Sequence, residues 1–140
     1  MKTWFITGIS TGFGRHLSEQ LLARGDRVAG TIRKSGAADD LKAEYGDRLW
    51  TAHLDVTDTA EIRRVVDAAF AEFGRIDVVV NNAGYGLLGA VEEAEDADVE
   101  RLFEVNVFGP FRIIRAALPR LRVWGSRCSS TPPSGRWTVR

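Results

Sequence analysis

The sequence predicts an α/β protein whose strands lie parallel in a doubly wound sheet, and three observations predict it. Short apolar runs of β type alternate with longer stretches of helical period from the first residues onward. A glycine-rich segment, residues 7–14, joins the first of those runs directly to the first helical stretch. The β-branched run across residues 76–80 reads as a strand covered on both faces, as parallel strands are.

Each element follows in order. Trp4, Phe5 and Ile6 form the first strand, and Phe13, Leu17 and Leu21 then recur at i, i+4 and i+8 on a helix that Gly25 ends. Residues 28–32 read as the second strand. The polar stretch from Lys34 to Asp47 reads as loop plus a short helix over residues 41–45. Residues 49–54 alternate and read as the third strand. Asp58 or Thr59 then caps a helix whose apolar face is Ile62, Val65, Val66, Ala69, Phe70 and Phe73, closed by Gly74. Residues 76–80 are the fourth strand. A last helix is expected over residues 96–118, with Pro119 stopping it.

Composition bounds the function. A chain of 140 residues, 44% hydrophobic and 27% charged, is enough for one water-soluble domain, expected in the cytoplasm. Nineteen basic residues balance nineteen acidic ones, which gives no overall field for nucleic acid or an anionic membrane, so any anion must be captured locally. No apolar run approaches the roughly 18 to 20 residues that span a bilayer, and the start reads as a strand rather than a signal peptide. The single cysteine, Cys128, reads as an inert thiol, and His16 and His53 lack the spacing of metal ligands, so no metal is expected.

The chemistry concentrates in Thr7, Gly8, Ser10, Thr11, Gly12, Phe13 and Gly14. Glycines between a strand and a helix let the chain turn sharply, let backbone approach a pyrophosphate and let the helix pack close to the strand. The anion then meets free N–H groups and the positive end of the helix dipole. From Thr7 to Gly14 the sequence resembles the T-G-x-x-x-G-x-G cofactor motif of the short-chain dehydrogenase/reductase family. Asp55-Val56 after the third strand and Asn81-Asn82-Ala83-Gly84 after the fourth extend the resemblance, which covers roughly residues 3–121. It implies a Rossmann-type fold and a nicotinamide dinucleotide as cofactor. By the same resemblance Asp55 and Val56 border the adenine, Asn81, Ala83 and Gly84 line the cofactor nearer its ribose and nicotinamide, and Asn82 helps lock the sheet. Taken alone, an aspartate after a strand also serves to close a turn, and Asn-Asn-Ala-Gly also suits a plain strand exit.

The end of the second strand bears on which dinucleotide is held. NAD-binding domains place a carboxylate there for the adenosine ribose, whereas this chain has Arg33 and Lys34. A carboxylate repels a 2′-phosphate and a guanidinium grips it, so NADP is favoured over NAD, the alternative being two solvated surface cations. Asn106 matches the family's helix asparagine, a proton-relay position, and Pro110 four residues on withholds the N–H that would bond its carbonyl. A kink is expected there, whether or not a relay is served.

The family's catalytic serine, tyrosine and lysine are expected to be missing. No Tyr-x-x-x-Lys occurs, since Tyr45 and Tyr85 have Leu49 and Gly89 at that spacing, and Ser129 and Ser130 read as ordinary tail serines. The division expected is a cofactor-binding half-domain at 1–122, truncated after the fourth strand and its helix, and an irregular tail at 123–140. That tail has no Ala, Leu, Asp or Glu. With a chosen set of codons, residues 125–130 regroup from the third base into Val-Ala-Val-Leu-Val, the strand the family has next, so the tail reads as a frameshifted end or as a divergent one. The function expected is that of an NADP-dependent oxidoreductase acting on a carbonyl or alcohol, in this chain inactive. The alternative is a non-catalytic nucleotide-binding or interaction module. The fourth strand, left as an edge, is expected to drive self-association or aggregation.

Overall fold

The computed structural model describes residues 1–125. The chain runs β1 (Thr3–Ile6), α1 (Gly12–Ala23), β2 (Arg27–Ile32), α2 (Asp39–Tyr45), β3 (Leu49–His53), α3 (Thr59–Phe73), β4 (Val78–Val80) and α4 (Asp96–Phe103). A π-helical turn over Glu104–Phe108 then leads into α5 (Gly109–Gly125). The four strands are parallel in the order β3-β2-β1-β4. Phe5 of β1 lies in register with Ala29 of β2 on one side and Val79 of β4 on the other. The chain winds outward through β2 and β3, then crosses back to place β4 beside β1. The strand order therefore reverses between β1 and β4, and in open α/β sheets ligands bind at that crevice.

The period-two alternation of the strands sends side chains to two cores. Phe5 and Ala29 point into a cluster with Ile62, Val65, Val66 and Phe70 of α3 and with Ile113 and Ala117 of α5. Ile6 and Val28 point the other way, onto Leu21 and Leu22 of α1 and Leu41 of α2. Helices thus cover both faces of the sheet, the doubly wound arrangement expected.

Two carboxylates fix the start of β1. Asp26 is only 5% exposed and accepts hydrogen bonds from the Lys2 N–H at 2.8 Å and the Trp4 indole at 3.0 Å, beside the Arg24 guanidinium. Arg24 first, then the Lys2 amide, hold its carboxyl well below the usual carboxylate range. Asp77 accepts the Thr3 N–H at 2.9 Å. The first strand is therefore anchored to the turn before β2 and to the approach to β4.

All six apolar residues expected on the face of α3 are buried, and Asp58 caps it, taking the N–H groups of Ala60 and Glu61 at 2.8 and 2.9 Å. Gly74 ends it at φ +70°, a conformation glycine adopts without penalty.

Three expectations need correction. Phe13, placed by its spacing on the packed side of α1, is 74% exposed, because the first turn of that helix overhangs the end of the sheet where no core reaches it. The fourth strand is shorter than expected: Ile76 is buried in the core without belonging to β4, and Asp77 donates its N–H to the Thr3 carbonyl at 2.8 Å. The helix expected over 96–118 is divided by the π-helical turn, and Pro119 does not stop it. α5 carries on past the proline because Arg120 pairs with Asp67 at 2.7 Å and lies over the Phe70 ring, while Leu121 packs on the core; these contacts outweigh one lost backbone bond. The helix reaches Gly125, beyond the boundary expected at 122. Cys128, Ser129, Ser130 and the rest of the tail lie outside the described residues.

Replacing the capping aspartate, Asp58→Ala, should lower stability by about 1 kcal/mol. Urea unfolding followed by circular dichroism checks it, the expected result being a lower midpoint at unchanged slope.

Candidate cofactor site

The site is built around the segment that leaves β1. Thr7 is 1% exposed, and its hydroxyl accepts the backbone N–H groups of Asn82 and Ala83, each at 3.0 Å. The Asn82 side-chain amide reaches back to donate to the carbonyls of Thr7 at 3.0 Å and Gly8 at 2.8 Å. The exits of β1 and β4 are thus laced together by reciprocal bonds at the reversal of strand order. Gly8 turns the chain at φ +74°. A Cβ on Gly14 would stand 2.2 Å from the Gly8 carbonyl oxygen and 2.3 Å from the Asn82 amide nitrogen, so only glycine lets α1 come this close.

The N–H of Gly8 is used by the Thr31 hydroxyl at 3.2 Å and that of Ile9 by the Thr31 carbonyl at 2.9 Å. The start of α1 is different. Thr11 is extended there and its side chain makes no cap, and the first turn carries no acidic residue. Those N–H groups, uncapped by any side chain, and the positive end of the helix dipole suit an anion.

A cavity of about 330 Å³ opens beside it. Of the residues expected from the sequence, Gly8, Ser10, Thr11, Phe13, Arg33, Asp55, Val56, Ala83 and Gly84 line this cavity. Thr7, Gly12, Gly14, Lys34, Asn81 and Asn106 do not. Thr7 and Gly14 stand behind the wall and set its shape, and Lys34 sits on the exposed turn after β2. The Asn81 side-chain oxygen is buried and has no hydrogen-bond partner among the described residues. Sequence reasoning missed Thr31, Tyr85, Arg101 and Val105, all of which line the cavity. Thr31 was detectable from strand period, two residues before Arg33, and Arg101 from helical period, four before Val105.

Among the described residues Asp55 is the one carboxylate in the cavity wall. Its Oδ1 accepts the Thr57 N–H at 2.9 Å and the Thr57 hydroxyl at 2.8 Å. Those bonds, helped by the charges of Arg101 and then Arg33, hold the Asp55 carboxyl below the usual carboxylate range, so it is an ionised acceptor at neutral pH. Arg33 and Arg101 make no ion pair or hydrogen bond to a side chain among the described residues, whereas Arg15, Arg24 and Arg112 are each paired with a carboxylate.

Asn106 lies in the π-helical turn, where the Gly109 N–H bonds the Glu104 carbonyl. Pro110 offers no N–H to the Asn106 carbonyl, and the chain accommodates this by widening the turn. The Asn106 side chain clamps the loop after β4: its Oδ1 accepts the Tyr85 N–H at 3.1 Å and its Nδ2 donates to the Tyr85 carbonyl at 2.7 Å. Gly84 leaves room for it, since a Cβ there would lie 2.9 Å from that Oδ1.

The residues fit a dinucleotide. Free N–H groups suit a pyrophosphate, Arg33 suits a further anion, and Asp55 faces a slot walled by Ile32, Leu54, Val56 and Val105 that suits a flat base. The short chain dehydrogenase family model matches residues 2–128. An oxidoreductase of Botryotinia fuckeliana is 41% identical over 122 residues, 86% of this chain and 44% of that protein. A solved short-chain dehydrogenase from Streptomyces avermitilis superposes with a TM-score of 0.86 at 48% identity, covering 89% of this chain and 47% of that one. A 3-ketoacyl-(acyl-carrier-protein) reductase from Brucella melitensis complexed with NADH superposes with a TM-score of 0.85 at 30% identity, covering 90% and 52%. The chain spans about half the length of the relatives it matches. On fold, site and likeness together, the chain belongs to the short chain dehydrogenase family, whose members are nicotinamide-dinucleotide oxidoreductases.

Proposed function

We propose that this chain binds NADP(H) in preference to NAD(H), as the cofactor-holding part of an oxidoreductase acting on a carbonyl or alcohol. The observation that carries the reading is Arg33. It lines the cavity at the end of β2, makes no ion pair among the described residues, and stands where an NAD-binding site would carry an acid. The bound cofactor supplies a hydride acceptor or donor. The chain's own residues bind and orient: the α1 N-terminus holds the pyrophosphate, Asp55 and the apolar slot take the base, and Ala83 and Gly84 border the path toward the nicotinamide. The Asn106 side chain steadies that path through Tyr85, and its position in the widened turn supports the proton-relay role the family resemblance implies.

A second reading, nucleotide binding without chemistry, is favoured by the sequence itself, which holds no Tyr-x-x-x-Lys. NADPH oxidation in the presence of a panel of ketones and aldehydes would support an enzyme, whereas binding without turnover fits both a cofactor-holding part and a binding module. The expected result for this chain is binding without turnover.

The assembly reading is also ours. β4 stands at the edge of the sheet among the described residues, and Phe103, Phe108, Phe111 and Ile114 are each 46–60% exposed. An unpaired edge beside apolar side chains recruits partners.

Calorimetry should find NADPH bound about tenfold or more tighter than NADH, the contribution of charge-assisted bonds to one phosphate. Arg33→Asp should reverse that order, and equal affinities in the unaltered chain would refute the preference. Gly14→Ala should abolish binding of both nucleotides, because the Gly8 carbonyl must move to admit the new methyl group. Light scattering should show a species larger than a monomer, and a stable monomer at micromolar concentration would end the assembly reading.

A further inference from the structure

The cavity holds a second guanidinium that the cofactor motifs do not call for. Arg101 lies on α4, four residues before Val105, so the two occupy one helix face, and both line the cavity. The other side of that helical segment is turned elsewhere: Val99, Glu100, Phe103, Glu104 and Phe108 surround a separate depression. Glu104, the acid nearest along the chain on its C-terminal side, is occupied by Arg112 at 2.6 Å, and Asp55 Oδ1 by Thr57. Arg101 therefore stands at the cavity without a partner among the described residues.

Its place there is distinct from that of Arg33. Arg33 closes β2, on the wall nearer the glycine loop, which already uses Thr31 to hold Gly8 and Ile9. Arg101 comes from α4 and lines the cavity together with Asp55, Val56 and Val105. It thus belongs to the Asp55 end of the cavity, where Leu54, Val56 and Val105 form an apolar slot and a lone carboxylate offers an acceptor. That combination suits a purine: a flat ring for the slot and an exocyclic amine for the carboxylate. A base seated between Val56 and Val105 keeps one side toward solvent, and a long stem ending in a planar cation is suited to cover it.

Resting on the nucleotide reading above, we infer that Arg101 closes the base end of the site, its guanidinium lying against the adenine of the bound dinucleotide. It adds affinity for the base and does not discriminate the 2′-phosphate, which is left to Arg33. Arg101 is exposed, so its replacement leaves the fold unchanged.

The test is binding, measured by calorimetry on the full chain with NADPH, NADH, 5′-AMP and nicotinamide mononucleotide. Arg101→Met should weaken NADPH, NADH and 5′-AMP alike by roughly five- to tenfold, the range of a partly desolvated cation over an aromatic face. It should leave the mononucleotide unchanged, and Arg101→Lys should fall between Met and the unaltered chain. Unchanged 5′-AMP affinity would overturn the inference. So would a loss confined to NADPH, which would make Arg101 a phosphate-binding cation, and so would an equal loss for the mononucleotide. If the unaltered chain binds none of the four, the nucleotide reading fails and this inference with it; if it binds and Arg101→Met is silent, only the role of Arg101 fails.

Discussion

The rest of the structure depends on the bonds between Asn82 and the Thr7–Gly8 backbone. β1 and β4 share only three residues of ladder, Trp4 to Ile6 against Val78 to Val80, and beyond it each strand would run into its loop independently. Past the last backbone bond, from the Thr7 N–H to the Val80 carbonyl at 3.0 Å, the Thr7 hydroxyl and the Asn82 amide extend the pairing by four side-chain bonds. Because Gly14 brings α1 against that same Asn82 amide, the helix inherits its position from the lacing. The anion site at the start of α1 and the cavity wall at Ala83 are therefore two outcomes of one hydrogen-bonded unit. A buried network is worth keeping only when it is satisfied, and here the Thr7 hydroxyl takes the N–H groups of Asn82 and Ala83 while the Asn82 amide donates to the carbonyls of Thr7 and Gly8.

This explains why the site was so legible in the sequence. Thr7, Gly8, Gly14 and Asn82 are each fixed by a backbone demand: a buried hydroxyl at a strand exit, a positive φ, a missing Cβ, a paired amide. Such demands admit few residue types, so the identity of the residue reports the geometry. The face of α3 was legible for a different reason. Its six apolar residues pack into a continuous core, and helical period alone selects them.

Where the reading failed, the deciding contacts were tertiary. The repeat Phe13, Leu17, Leu21 has the right period, yet the first turn of α1 projects past the strand ends, so Phe13 borders the cavity mouth instead of the core. Pro119 is a helix breaker by any local rule. What overrides it is a neighbouring helix that offers Asp67 and Phe70 to Arg120. At Pro110 the chain resolves a comparable conflict by widening into a π-helical turn, and Gly109 permits it there, since a Cβ would meet the Val56 carbonyl at 3.0 Å. The irregularity at Pro110 is written in the missing N–H, though its π-helical form is not; the passage of the helix through Pro119 is not written in the residues concerned at all.

The distribution of charge follows from the same division between local and tertiary. Most of the charged residues are spent on structure, and the depressed carboxyls of Asp26, Asp40 and Glu19 each lie against an arginine that fixes a turn or a helix start. A polar helix face reads alike in sequence whether it meets water or a cavity, which is why Arg101 escaped notice while Arg33, at a strand end with a known geometric role, did not. Among the described residues, two guanidiniums that make no ion pair and a single ionised aspartate line the cavity, a local positive excess in a chain whose formal net charge is zero. An overall field was therefore never the means of attracting an anion. The fold brings two arginines to one crevice, where neither makes an ion pair among the described residues, so that positive charge gathers beside the reversal of strand order.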